Sequence, residues 1–109
     1  MRELLEEAVR KFNERAGSDA KLTKELEGVV RTVLVDLKDG SKYHFTLKDQ
    51  RIGPVAEGPA DQPDITILSD AVTLTALLKK EMGPMKAYAT QKLKIKASLE
   101  DVIRLRKFF

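Results

Sequence analysis

Few side chains in this sequence are of a type that could carry out acid–base or nucleophilic chemistry. His44 is the single histidine, and there is no cysteine. His44 falls on the polar face of a predicted hairpin strand, and no Gly-x-Ser-x-Gly turn presents Ser41 as a nucleophile. Asp61, Asp64 and Asp70 lack the alternating spacing of a calcium-binding loop. These residues therefore predict neither an enzyme nor a metal site, and they call for no cofactor.

Lysines are the other residues whose spacing could serve a function. The part from Lys79 onward holds nine Lys and Arg against three acidic residues, whereas the part before it holds eleven basic and fourteen acidic residues. This basic third suits anionic head groups, a ligand carboxylate or nucleic acid, or it is simply a solvated lysine face. Lys92, Lys94 and Lys96 alternate along one strand, but no aromatic side chain alternates with them. Because binders of single-stranded nucleic acid need aromatic platforms, the pattern does not favour nucleic acid.

Length and composition predict the number of domains and the compartment of the protein. A chain of 109 residues predicts a single domain over 1–109. The first seven residues are too acidic for a signal peptide, and no apolar run approaches the ~20 residues of a membrane span. The lack of cysteine suits a reducing compartment. We therefore expect a cytoplasmic protein.

The first half of the chain predicts two helices and a hairpin. Residues 3–16 form an amphipathic pattern, and a short second helix ends before Gly28. A strand over 29–38 follows, in which Arg31 interrupts an alternating row of valine and leucine. Asp39-Gly40 is a strong hairpin signal, and it leads into an alternating return strand.

The second half predicts short strands separated by helices. Residues 51–57 read as an edge strand or a bulge, because Gly53-Pro54 lies in their middle. The remaining predicted elements are a strand over 64–68, helices over 71–82 and 84–90, a strand over 92–97 and a helix that begins after Ser98. The whole predicts an α+β fold. It is a single five-stranded, mainly antiparallel sheet with helices mainly on one face, in the order α-β(3)-β-α-β-α.

Several motifs in the second half resemble a known family. They are Asp64-Ile65-Thr66-Ile67 before a helix start at Ser69-Asp70, Leu77-Leu78, Pro84-Met85 with Ala87, and Lys92-Leu93-Lys94-Ile95-Lys96. Together they resemble the sterol carrier protein 2 family of small lipid-binding domains, in a stand-alone form of prokaryotic type. The first half fits that family by the order of its elements.

Three positions depart from the family pattern. Gln91 stands where relatives usually have glycine, Ala97-Ser98 where they have Gly-Asp, and Gly83 where many have aspartate. A left-handed backbone at residue 91 would cost glutamine about 1 kcal/mol. The turn into the last strand is therefore where we expect this chain to differ from its relatives.

The resemblance implies an apolar tunnel between the sheet and the helices that binds fatty acyl chains, sterols or other long apolar ligands without chemistry. Prokaryotic relatives include accessory modules for quinone synthesis and alkyl-sulfate hydrolysis. The alternative hypothesis is a scaffold with a small or filled tunnel that binds a lipid- or quinone-metabolising protein. We also expect a transient contact with an anionic membrane surface, and a monomer or a weak dimer.

Under the first hypothesis the tunnel lies between helices 71–82 and 84–90, the sheet and the C-terminal helix. The predicted lining residues are Leu34, Phe45, Leu74, Leu78, Met82, Met85, Ala89, Ile95, Ile103, Phe108 and Phe109. Lys79, Lys80 and Lys86 are expected at the mouth, against a lipid head group or a membrane. An empty cavity costs roughly 24 cal/mol per Å³, so a large tunnel must hold ligand or close when empty.

Overall fold

The computed structural model describes residues 1–105, in which five helices and six strands confirm the predicted α+β class. The helices are α1 (Arg2–Ser18), α2 (Ala20–Glu25), α3 (Ala71–Leu78), α4 (Pro84–Ala89) and α5 (Leu99–Leu105). The strands are β1 (Arg31–Leu37), β2 (Lys42–Lys48), β3 (Arg51–Ile52), β4 (Ala56–Glu57), β5 (Ile65–Ser69) and β6 (Leu93–Lys96).

All the strands join one sheet in the order β3-β2-β1-β5-β6, and β4 also pairs with β2. β1 and β5 are parallel, and the other pairs are antiparallel. The sheet has six strands where the sequence predicted five, because the predicted strand 51–57 divides at Gly53-Pro54 into β3 and β4. Proline cannot donate to a strand ladder, so the pairing with β2 stops there and resumes after it.

The core lies between one face of the sheet and the helices. Val33 of β1 is flanked by Phe45 of β2 and Ile65 of β5, and these three side chains belong to the same buried cluster. The apolar stripe of α1 packs onto that cluster through Leu5, Val9, Phe12 and Ala16. On the opposite face, one row across the strands is formed by His44, Leu34, Thr66 and Lys96.

Asn13 fixes α1 beside the edge strand β3. Its side-chain amide donates to the carbonyl oxygen of Ile52 (2.9 Å), and its side-chain oxygen accepts from the Ile52 N–H (2.7 Å). An edge strand otherwise leaves such groups open to other chains. The two bonds cover the edge and hold Phe12, one residue earlier in α1, over the sheet.

The turns that follow α3 and α4 both take left-handed backbone at a residue other than glycine. α3 ends at Leu78, four residues before the predicted end, and Lys80 follows with φ of 62°. Met82 therefore lies after the helix rather than on its stripe. Gln91, between α4 and β6, has φ of 61°. Gln91 therefore adopts the left-handed backbone that glycine takes most readily.

Candidate functional site

An apolar cavity lies between the inner face of the sheet and helices α1, α2 and α5. Its volume is about 50 Å³. The described apolar residues that line it are Phe12, Leu22, Leu26, Val33, Phe45, Leu47, Ile52, Ile65 and Leu105. Four charged residues complete the lining, namely Glu25, Arg31, Asp101 and Arg104. The site is therefore an apolar chamber with a charged rim.

The sheet side of the chamber follows from the alternation of the strands. Tyr43, Phe45 and Leu47 point inward on β2, as the sequence predicted, and Val33 and Arg31 lie opposite Phe45 and Leu47 on β1. Arg31 thus occupies an inward register position among apolar residues. The interruption noted in the sequence of β1 is the point at which the apolar chamber ends.

An ion-pair network closes this end of the chamber. Arg31 Nε lies 2.9 Å and 3.1 Å from the two carboxylate oxygens of Asp101, and Arg104 Nη1 lies 2.7 Å from one of them. Asp101 is only 4% exposed. Burial by itself would raise the pKa of Asp101, but the hydrogen bonds from Arg31 and Arg104 outweigh it, so the pKa is lowered. Asp101 is therefore an ionised carboxylate held by two guanidinium groups.

Helix α5, which carries two members of this network, is the least embedded wall of the chamber. Within Leu99–Leu105 the buried side chains are Asp101 and Leu105, whereas Leu99 and Ile103 are exposed. The Ser98 hydroxyl accepts a hydrogen bond from the Asp101 N–H (3.2 Å), which is one half of a capping box at the start of α5. The Asp101 side chain instead turns to Arg31. Within residues 99–105, the buried attachments of α5 are thus this salt-bridge network and Leu105.

A second cleft lies on the other side of Phe12. It has a volume of about 110 Å³ between α1 and α3, and its lining includes Ala8, Leu77, Leu78 and Lys80. Phe12 lines both this cleft and the chamber. The Phe12 side chain therefore borders both spaces.

The predicted lining residues are distributed over several environments. Phe45 lines the chamber, and Leu78 lines the α1–α3 cleft. Leu74 is buried in the core, while Ile95 and Met82 are partly buried against it. Leu34 is buried on the opposite face of the sheet, and Met85, Ala89 and Ile103 are exposed. Phe108 and Phe109 lie outside the described residues.

The three predicted head-group lysines are all exposed. Lys80 lines the α1–α3 cleft, Lys79 caps α3, and Lys86 lies on α4. The chamber residues contributed by α1, α2 and α5 were not predicted as lining. Arg31 was the available signal, since a charge in an apolar strand row calls for a partner.

The described residues offer little else that could serve a reaction. His44 Nδ1 donates to the carbonyl oxygen of Gly58 (3.0 Å), which fixes the loop after β4. Among residues 1–105 no three His, Asp or Glu side chains are grouped to hold a metal ion. Of the helices formed by these residues, none is long and apolar enough to cross a bilayer.

The geometry agrees with the comparison of the sequence with protein families. The sequence model of the SCP-2 sterol transfer family matches residues 9–109. The chain belongs to this family. The resemblance seen in the second half of the sequence is therefore confirmed, and it extends over nearly the whole chain. No curated protein matches the chain.

Solved structures with the same fold include proteins of different kinds. Palmitated SCP2L2 from Aedes aegypti is 16% identical, with 92% of this chain and 88% of that chain covered and a TM-score of 0.63. The ubiquinone synthesis protein UbiJ-SCP2 is 15% identical, with 95% and 88% covered and a TM-score of 0.66. The sec-alkylsulfatase Pisa1 from Pseudomonas sp. is 16% identical with a TM-score of 0.63, and the match covers 79% of this chain but 13% of the sulfatase.

Proposed function

We propose that this protein binds a long apolar chain, such as a fatty acyl group, without chemically changing it. The observation that carries the proposal is the apolar chamber between the sheet and α1, α2 and α5, lined by nine described hydrophobic side chains. Membership of the SCP-2 sterol transfer family supports it, as does the palmitated state in which an Aedes aegypti relative was solved.

The chamber is smaller than a site that encloses a long apolar chain. Pockets for small molecules usually measure about 300–1,000 Å³, against about 50 Å³ here. An empty 300 Å³ cavity would cost about 7 kcal/mol, which is comparable to the ~5–15 kcal/mol that stabilises a whole domain. Without ligand, the protein is therefore more stable when the chamber is small, and a ligand must enlarge the chamber as it binds.

Two elements can provide the additional space. Displacing α5 opens the chamber at the cost of the Arg31–Asp101 pair and the burial of Leu105. Turning the Phe12 ring joins the chamber to the α1–α3 cleft. A bound chain would then extend from the charged rim at Arg31 past Phe12 toward Leu78. Each buried methylene would contribute about 0.8 kcal/mol to binding.

The test is a titration with a fluorescent fatty acid, preceded by native mass spectrometry of gently purified protein. Val33→Phe places a ring in the chamber, and we expect it to weaken binding at least tenfold, which is roughly 1.4 kcal/mol. The matched control is Leu34→Phe, one residue along the same strand on the opposite face of the sheet, which should bind as the unchanged protein does. Thermal melting of both variants verifies that they fold.

Two results would contradict the proposal. One is an absence of both co-purified lipid and saturable binding in the unchanged protein. The other is equal binding by folded Val33→Phe and Leu34→Phe, since the chain would then lie elsewhere.

The small volume of the chamber favours a second candidate function. In this alternative the protein is an accessory scaffold whose filled interior only supports the fold, and a lipid- or quinone-metabolising protein binds its surface. The structural likeness to the ubiquinone synthesis protein UbiJ-SCP2 is compatible with this role. Saturable fatty-acid binding that Val33→Phe abolishes would exclude a filled interior, whereas its absence in a well-folded protein would favour the scaffold.

A further inference from the structure

Helix α4 turns its apolar stripe toward solvent. Its buried residue is Ala87, which is 0% exposed. Met85 and Tyr88, which lie about 160° and 100° around the helix from Ala87 at ~100° per residue, are 72% and 55% exposed. Ala89 is exposed on the same side. A contiguous apolar surface of this kind, when it is bordered by charges, marks a binding surface.

The border of this stripe is strongly basic. Residues 79–96 contain six lysines and one acidic residue, Glu81. Lys92, Lys94 and Lys96, together with Lys38, line a groove of about 350 Å³ that starts at Gln91, two residues after α4 ends. The groove therefore begins in the short segment that joins the stripe-bearing helix α4 to β6.

The acids nearest to these lysines already have other partners. Asp36, inside the groove, pairs with Lys42 (3.3 Å). Asp70, close to Lys38 and Lys92, caps α3 by accepting hydrogen bonds from the N–H and hydroxyl of Thr73 (2.7 and 2.9 Å). Within residues 1–105, Lys92, Lys94 and Lys96 have no carboxylate at ion-pair distance, so their positive charge is available to a partner.

We propose that the α4 stripe and these lysines form a docking surface for an anionic lipid bilayer. A bilayer offers negative head groups and an apolar layer at the same boundary, which matches lysines beside Met85 and Tyr88. Tyrosine favours the membrane–water boundary because its ring is apolar and its hydroxyl is polar. Basic side chains gain further from the negative surface potential.

This surface is separate from the chamber. Arg31 and Leu37 are the two ends of β1, about 20 Å apart at ~3.3 Å per residue. The chamber rim is at the Arg31 end, while the groove includes Leu37 and Lys38. Docking would therefore leave the chamber rim uncovered, and it does not depend on the chamber holding a ligand.

Vesicle binding tests the role of charge. We expect co-sedimentation with phosphatidylcholine vesicles that contain phosphatidylglycerol, weakening as salt is added, and no binding to phosphatidylcholine alone. Changing Lys92, Lys94 and Lys96 to glutamine should lower affinity about a hundredfold, at roughly fivefold per lysine. The control changes three exposed lysines elsewhere, Lys21, Lys24 and Lys48, to glutamine, with the same change in net charge and little effect on binding.

A tryptophan probe tests which face inserts. The sequence has no tryptophan, so Tyr88→Trp would carry the single one. With phosphatidylglycerol vesicles its emission should shift to shorter wavelength and be quenched by brominated lipid. Ile103→Trp, on the exposed side of α5, should show neither change.

Four outcomes would overturn the proposal. They are no binding to the anionic vesicles, equal losses in the two triple-lysine variants, a blue shift confined to the Ile103→Trp protein, and self-association through Tyr88 without vesicle binding. The last outcome would identify the stripe as a protein interface. Each of them can occur whether or not the chamber binds a fatty acid.

Discussion

The two ends of β1 arrange the same kinds of side chain in opposite ways. At the Arg31 end, apolar residues face inward and each charge has a partner, with Asp101 held by Arg31 and Arg104. Toward the Leu37 end, Met85 and Tyr88 are exposed on α4, and the lysines of the neighbouring β6 have no ion pair within residues 1–105. Paired charges around an inward apolar space suit a ligand chamber. Unpaired charges around an outward apolar stripe suit a surface that meets a partner.

The largest contrast between the two ends should appear in stability. Arg31→Met leaves the buried Asp101 with Arg104 alone, and we expect a loss of about 2 kcal/mol. That is less than the ~3–5 kcal/mol for a fully buried pair, because the Arg31 side chain is 31% exposed. Lys94→Met at the cationic end should change stability by less than about 0.5 kcal/mol. Urea unfolding of both variants measures the difference, and equal losses would remove the distinction between the ends.

Phe12 offers a smaller effect with a sharper functional consequence. Phe12→Leu should cost about 1 kcal/mol of stability while joining the chamber to the α1–α3 cleft, so that longer acyl chains bind more tightly. Phe45→Leu is the matched control, because Phe45 lines the chamber without separating it from the cleft. Titration with fatty acids of increasing length compares them. The same length preference in both variants would rule out Phe12 as a partition between the chamber and the cleft.

The ion pair at the chamber rim should make part of the stability depend on pH. The folded pKa of Asp101 is lowered, so its contribution is full above the unfolded pKa of about 3.9 and is lost as pH falls through the folded value. As pH falls below about 4, the free energy of unfolding of Asp101→Asn should therefore decrease less than that of the unchanged protein. Asp39 and Asp70, whose pKa values are lowered by backbone N–H groups of Ser41 and Thr73, titrate in both proteins and cancel. Parallel pH profiles would show that the pair does not stabilise the fold.

The smallest expected effect lies at the turn into β6. Gln91→Gly should stabilise by about 0.5 kcal/mol, since relief of the left-handed backbone exceeds the added freedom of the unfolded chain. Thr90→Gly, one residue earlier at an ordinary φ of −88°, should destabilise instead. Thermal melting decides the sign, and destabilisation by Gln91→Gly would mean that the glutamine side chain itself supports the turn.

The sequence predicted the frame of this molecule because the frame depends on local patterns. The helical period of the apolar residues predicted the buried stripe of α1, and the strand alternation predicted the inward row of β2. Both are observed. The family pattern singled out the turn at Gln91 as a place of departure, and the backbone there is left-handed. The sixth strand did not follow, because a proline shows where pairing stops but not whether it resumes.

Features that depend on long-range partners could not be predicted in this way. The helical spacing of Met85, Tyr88 and Ala89 does not show which side of the six-residue helix α4 packs on the core. In the structure the side that carries Ala87 is buried. The Arg31–Asp101 pair joins residues seventy positions apart, so neither residue identifies the other in the sequence. The walls that α1, α2 and α5 give the chamber likewise arise from packing.

In the proposed function, the Arg31 end of the sheet holds an apolar chain and the α4 surface does not. Nuclear magnetic resonance with a spin-labelled fatty acid tests it directly, because the label broadens signals from nearby residues. We expect saturable broadening at the amides of Val33, Phe45 and Ile65, and no broadening at those of Met85 and Tyr88. Broadening concentrated at Met85 and Tyr88, with none at Val33, Phe45 and Ile65, would contradict it.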